Sequence, residues 1–304
     1  MKSISSPASK IIDFLKYLAF KKSASFHTLK AYALDLSEAF QLGKVRVPEI
    51  EAFAAGQASL ESSRLFEQLP AKSEWCLPRQ GAASTRNRKI AALKSFFRWG
   101  FEEQIFEQDY GLHLSCPKKQ KKLPHFISVD EAMSVLQSFA PDEDSEKLLF
   151  LLLYGGGLRV SEACQLRWSH VNLSQKTLLI QGKGNKQRLI ALPPLTWDLL
   201  LKHHSQTNET YVFGEQALST RKAYEMVRRS GQKAGLINPL HPHALRHSFA
   251  THLLSSGANL RILQKLLGHD SLQATEIYTH LGVDQLARTL DNLHPLGEAN
   301  KKVS

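Results

Sequence analysis

Cysteine is scarce in this chain: three in 304 residues, at Cys76, Cys116 and Cys164, far apart and odd in number. That argues against a disulfide framework and fits a reducing cytoplasm. With no CxxC anywhere, it also argues against a cysteine-based zinc site. Long apolar runs are missing too. The longest, LLFLLLY from Leu148 to Tyr154, falls far short of the roughly 20 residues that span a bilayer. The apolar N-terminal IIDFLKYLAF is interrupted by Asp13 and Lys16, so it reads as an amphipathic helix and not as a signal peptide. No internal repeat is present. Acidic residues are in deficit: 28 Asp and Glu against 39 Lys and Arg leave a formal net charge of +11. A polyanionic partner is the expectation, nucleic acid ahead of a membrane surface.

What is there is ordinary globular material, 42% apolar and 22% charged, long enough for two domains. The first third reads as helices. Ile11, Ile12, Leu15, Leu18 and Ala19 follow helical spacing, as do Leu29, Tyr32, Ala33, Leu36 and Phe40. A third helix starts at Ser84 in STRNRKIAALKSFFRWGFEE, with Ile90, Leu93, Phe96 and Phe97 on its apolar face. Arg86, Arg88, Lys89 and Lys94 give it a basic face, read as a phosphate contact in preference to a merely solvated surface. From about Ile50 to Gly81 the periodicity is weak and no elements are assigned. CPKKQKKLPHF, residues 116–126, brackets Lys118, Lys119, Lys121 and Lys122 between prolines and reads as an extended basic linker. A helix opens after it on a Ser128–Glu131 capping box. The boundaries drawn are 1–115, 116–126 and 127–304.

The remainder is mixed. LLFLLLYGGGL is a buried helix stopped by glycines, and SEACQLRW a short helix. KTLLIQGKGNKQRLIALP holds two β-prone runs around a Gly-Lys-Gly-Asn-Lys turn, a hairpin by pattern. Helical segments follow at about Thr220–Gly235, Pro242–Gly257, Leu260–Leu267 and Val283–Leu293.

HPHALRHSFATHLL, residues 241–254, packs four histidines and an arginine into one amphipathic stretch. His243 and Arg246, three apart, share a face near a helix start, while Phe249, Ala250, Leu253 and Leu254 face the core. Such a place binds anions, and an arginine can grip two phosphate oxygens at once. Metal is the rival reading, because His243 and His247 have the i, i+4 spacing of HExxH. Ala244 stands where that motif has its glutamate, and the carboxylates of a two-metal site are missing nearby. No metal and no cofactor are therefore expected. His247 and His252 read as surface or buried, satisfied histidines.

GLRVSEA, the hairpin lysine, HPHALRHSFATHLL, LLGH and IYTH, in that order and spacing, resemble the tyrosine recombinase family, and most closely its bacterial Xer members. SFHTLKAYALDLSEAF and STRNRKIAALKSFFRWG resemble its N-terminal DNA-binding helices, and LPHFISVDEA its domain junction. The resemblance covers nearly the whole chain, departing most between about Ile50 and Gly81. It implies a mainly α, two-domain DNA clamp: a helical N-terminal core-binding domain, and an α+β catalytic domain with a small antiparallel sheet. It implies strand exchange through a 3′-phosphotyrosyl intermediate, with Tyr278 as nucleophile. Arg159 and Arg246 would neutralise the non-bridging oxygens, and Lys183 would act as general acid. His243 and His269 would hydrogen-bond the phosphate or assist proton transfer. Glu162 reads as structural, orienting a neighbour.

The partners so implied are double-stranded DNA at a pseudo-palindromic site, a tetramer of this chain alone or with a paralogous recombinase, and a DNA translocase as activator. VDQLARTLDNLHPLG resembles the C-terminal helix that docks into a neighbouring subunit, and packing on its own domain is the alternative. Type IB topoisomerase chemistry uses the same residues without exchanging strands. A phage or transposon integrase is a further alternative, disfavoured because the chain starts almost at its first DNA-binding helix. A non-catalytic DNA-binding protein is the last, disfavoured because all six expected site residues are present.

Overall fold

The computed structural model describes residues 3–69, 72–76, 82–116, 126–181, 187–206, 209–259, 263, 266, 267 and 280–297. The chain divides into two compact units, 1–122 and 123–304, and the division falls inside the stretch read as a basic linker.

The first unit is built on three helices: α1 (Pro7–Lys22), α2 (Phe26–Ala39) and, after shorter elements, α5 (Ala83–Glu102). Their apolar stripes are buried as the spacing predicts: Ile11, Ile12, Leu15 and Leu18; Leu29, Ala33 and Leu36; Ile90, Leu93, Phe96 and Phe97. Phe96 is the hub. Its ring lies 5.5 Å from Phe14, 5.6 Å from Phe40 and 5.4 Å from Phe106, all edge to face, the geometry the ring quadrupole favours. The weakly periodic stretch contains α3 (Val47–Ala54), α4 (Ser62–Leu65) and β2 (Lys72–Glu74). Strand β2 pairs antiparallel with an N-terminal strand, β1 (Ser3–Ser5), in the register Ser3↔Glu74.

The second unit opens with α6 (Val129–Gln137). Ser128 Oγ accepts from the Glu131 N–H at 3.1 Å while Glu131 Oε2 accepts from the Ser128 N–H at 2.7 Å, the expected capping box. Helix α7 (Asp144–Tyr154) is apolar all round from Leu148 to Tyr154 because it is covered all round. Helices α9 (Pro194–Ser205), α10 (Thr220–Lys233) and α11 (Pro242–Ser255) pack against it. After the glycines comes the short α8 (Val160–Cys164). A 3-10 turn at Trp168–His170 leads into an antiparallel sheet of order β3 (Val171–Asn172), β4 (Thr177–Gln181) and β5 (Gln187–Ala191). The β4–β5 hairpin is the expected one, in the register Ile180↔Arg188, while β3 and α9 were not expected.

The last helix, α12 (His280–Leu293), packs on β5 of its own unit. Its Leu290 is buried in a cluster with Ala191, Phe249 and Leu253. Among the described residues, no helix is long and apolar enough to cross a membrane. The expected helix at Leu260–Leu267 falls mostly outside them.

Candidate active site

The triple glycine places the first functional residue. Gly157 has φ +60°, a left-handed conformation, and a Cβ there would lie 2.5 Å from the Phe249 ring. Only glycine meets both conditions. The turn sends Arg159 to the start of α8, where its N–H donates to Glu162 Oε2 at 2.7 Å and its Nη1 to Glu162 Oε1 at 2.8 Å. Glu162 does not serve Arg159 alone. Arg188, from β5, donates Nη1 to Oε1 and Nη2 to Oε2, both at 2.8 Å. The two side chains of that pair are 6% and 5% exposed.

Arg246 arrives from the first turns of α11. Its Nη1 lies 3.8 Å from Glu162 Oε2. The same Nη1 donates to the carbonyl of Gly157, and Nη2 donates to that of Leu267 at 2.5 Å. Two carbonyl dipoles thus fix the guanidinium without neutralising it. Burial, and after it the charge of Arg159, pushes its pKa down to about 10, so the group remains cationic at neutral pH. Burial pushes the Glu162 carboxyl up, but the hydrogen bonds and charge of Arg188, and then Arg159, more than reverse this and hold it below its ordinary value. The cluster therefore carries three guanidinium charges against one carboxylate. An excess of positive charge of this kind, partly withdrawn from water, is what an anionic centre binds.

The four histidines of 241–254 lie in four environments. His241 caps α11, its Nδ1 accepting from the Ala244 N–H at 3.0 Å. His243 is exposed one turn before Arg246, with its ring 6.3 Å from Tyr224. His247 is half-buried beside Phe126. His252 is buried with its Nδ1 2.9 Å from the Tyr154 hydroxyl, one of the satisfied histidines expected. A fifth histidine went unnoticed in the sequence. His294 is fully buried: Nε2 donates to the Tyr154 carbonyl at 3.2 Å and Nδ1 accepts from the Leu296 N–H at 3.1 Å.

Of the six candidate catalytic residues, Arg159 and Arg246 are brought together around Glu162, and His243 stands on the same helix as Arg246. Lys183, His269 and Tyr278 lie outside the described residues, as do Lys118, Lys119, Lys121 and Lys122. On α5, Arg88 is ion-paired at 2.6 Å with Asp35, which is 4% exposed, and Lys89 at 2.5 Å with Glu38. Those two basic groups pin α5 to α2 as well as contributing charge. Burial raises the Asp35 carboxyl above its ordinary range against the opposing pull of Arg88. Arg86 and Lys94 are half-buried. Among the described residues, no three His, Cys, Asp or Glu side chains gather to hold a metal ion.

Arg188 is the residue that sequence reasoning missed. Its signal was alternation: it shares a strand face with Ile190, which is core. An arginine on a core-facing position needs an acidic partner.

Known proteins resemble this chain over nearly its whole length. The phage integrase family matches residues 125–284, and the phage integrase N-terminal SAM-like domain matches residues 11–104. The chain belongs to the phage integrase family. It is a tyrosine recombinase, a DNA breaking-and-rejoining enzyme close to the Xer members. Tyrosine recombinase XerC of Thermodesulfovibrio yellowstonii is 32% identical over 311 residues, covering 96% of this chain and 98% of that one. XerC of Xanthomonas axonopodis pv. citri is 31% identical over 305 residues, covering 96% and 99%. Two solved structures share the fold. The XerH site-specific recombinase bound to palindromic difH substrate, in a post-cleavage complex, has a TM-score of 0.59 at 22% identity, over 94% of this chain and 96% of that one. A lambda integrase tetramer bound to a Holliday junction has a TM-score of 0.62 at 16% identity, over 91% and 81%.

Proposed function

We propose that this recombinase exchanges strands between two double-stranded, pseudo-palindromic DNA sites, as a Xer-type enzyme resolving chromosome or plasmid dimers. The observation that carries the reading is the convergence of Arg159 and Arg246, from segments far apart in sequence, on one carboxylate with charge to spare. In the proposed reaction Tyr278 Oη attacks the scissile phosphorus. A phosphotyrosyl bond forms to the 3′ side, the bond to the 5′ oxygen breaks, and Lys183 gives that oxygen its proton. Arg159 and Arg246 face the non-bridging oxygens, whose charge grows in the transition state. His243 and His269 hydrogen-bond the phosphate or move the tyrosine proton. The bond energy stays in the covalent link, so the freed 5′ hydroxyl of another strand can reverse the step without ATP. Arg86, Arg88, Lys89, Lys94 and the linker lysines 118, 119, 121 and 122 contact the backbone in this reading.

Four copies of this chain, or this chain with a paralogous recombinase, would act together, with a DNA translocase as activator. Support comes from the similar proteins: the lambda integrase structure is a tetramer on a Holliday junction, and the XerH structure holds a palindromic substrate. The test is a supercoiled plasmid carrying two directly repeated copies of a candidate palindromic site from the source genome, incubated without added metal. Two product circles are expected. Relaxation of a one-site plasmid with no resolution of the two-site one would favour the topoisomerase reading instead.

A further inference from the structure

We propose that Arg188 is a positioning residue of this active site: by occupying both oxygens of Glu162, it leaves the charges of Arg159 and Arg246 available to the scissile phosphate. The inference rests on the reading of those two arginines as the phosphate grip.

Packing alone gives no reason for an arginine at this position. Along β5 the side chains alternate, Gln187 exposed, Arg188 buried, Leu189 half-buried and Ile190 buried. A leucine or methionine would fill the same core-facing place without the cost of removing a guanidinium from water. Arg188 is anchored through Glu162: both its terminal nitrogens bond that carboxylate, and its Nε is buried without a hydrogen-bond partner. The fork-to-fork arrangement matches guanidinium to carboxylate edge to edge.

The consequence is electrostatic. Glu162 lies 2.8 Å from Arg159 and 3.8 Å from Arg246. Acting alone, it would cancel much of the positive charge those two present and would compete with the phosphate for their N–H groups. Arg188 supplies the compensating charge from the side. It also ties β5 to the first turn of α8, so the strand that follows Lys183 in sequence and the helix that starts at Arg159 share one carboxylate.

The test uses the full chain and single-turnover cleavage of a nicked suicide duplex at saturating DNA, comparing Arg188→Gln, Glu162→Gln and the double variant. Arg188→Gln is expected to slow cleavage on the order of 10- to 100-fold, the size typical of residues that orient a first layer of ligands, with DNA affinity nearly unchanged. Adding Glu162→Gln should recover most of that loss, since the uncompensated carboxylate is then gone. On a substrate whose scissile phosphate is replaced by an uncharged methylphosphonate, the Arg188→Gln defect should shrink. Wild-type cleavage by folded Arg188→Gln would overturn the proposal. So would a defect that the second substitution does not relieve and that persists on the methylphosphonate, which is the mark of a merely structural role. Should the single variant fail to fold, the charge-neutral double carries the decision: cleavage within about tenfold of wild type supports the proposal, and inactivity of the folded double overturns it. Arg159→Ala separates the two readings, because near-normal cleavage by that variant would remove the phosphate grip itself.

Discussion

Gly157 serves Arg246 at a distance along the chain, since its carbonyl receives the guanidinium and its missing side chain leaves room for the Phe249 ring. Gly157→Ala should therefore cost about 1–3 kcal/mol in urea unfolding and slow cleavage further than that loss explains, as single-turnover rates at saturating DNA will show. His294 gives a pH prediction. Burial holds its pKa down to about 3, whereas the unfolded chain takes up that proton near pH 6.5. The folded state keeps its full advantage above pH 6.5 and loses it as the pH falls toward 3, because the unfolded chain binds the proton first. Between pH 7 and 5 this amounts to about 2 kcal/mol, and His294→Phe should lose that much less than wild type in urea titrations at the two pH values. The residues proposed to grip the phosphate were legible in the sequence, because Arg159, His243 and Arg246 sit in dense motifs. Arg188, His294 and the Gly157 carbonyl were not, because their meaning lies in partners distant in sequence: Glu162, Tyr154 and Arg246.

Elements follow the same division. Helices α1, α2 and α5 were readable because each buries one periodic stripe, and α7 because its apolar run from Leu148 to Tyr154 can sit only in a fully covered helix. The pieces between Ala39 and Ala83 were not. Helix α4 is four residues long and β2 three, too short for periodicity, and β2 is held by pairing with β1 at the start of the chain. The α6 capping box was legible in full, and Ser128→Ala should cost about 1 kcal/mol in thermal or urea unfolding. On α5, two of the four basic residues are ion-paired with α2, Arg88 to Asp35 and Lys89 to Glu38. Arg88→Ala strips the partner from Asp35 and should lower unfolding midpoints. Lys94→Ala should leave stability alone and reduce the salt slope of DNA binding by about one.

At the scale of the whole molecule, the excess of basic over acidic residues gives +11, spread over two units with separate cores. A duplex bound through six or more phosphates should lose on the order of a thousandfold in affinity between roughly 50 and 200 mM salt, measurable by fluorescence anisotropy. A nearly flat dependence would mean that the basic residues serve solubility and not DNA. The central claim is that this charge delivers one phosphodiester to the arginine pair for attack by Tyr278. Trapping on a nicked suicide duplex, followed by protease digestion and mass mapping of the DNA-linked peptide, tests it most directly. The expected result is an SDS-resistant adduct formed without added metal, with the nucleotide on Tyr278 and no adduct from Tyr278→Phe. A covalent link at any other residue, or an adduct that Tyr278→Phe still forms, would contradict it.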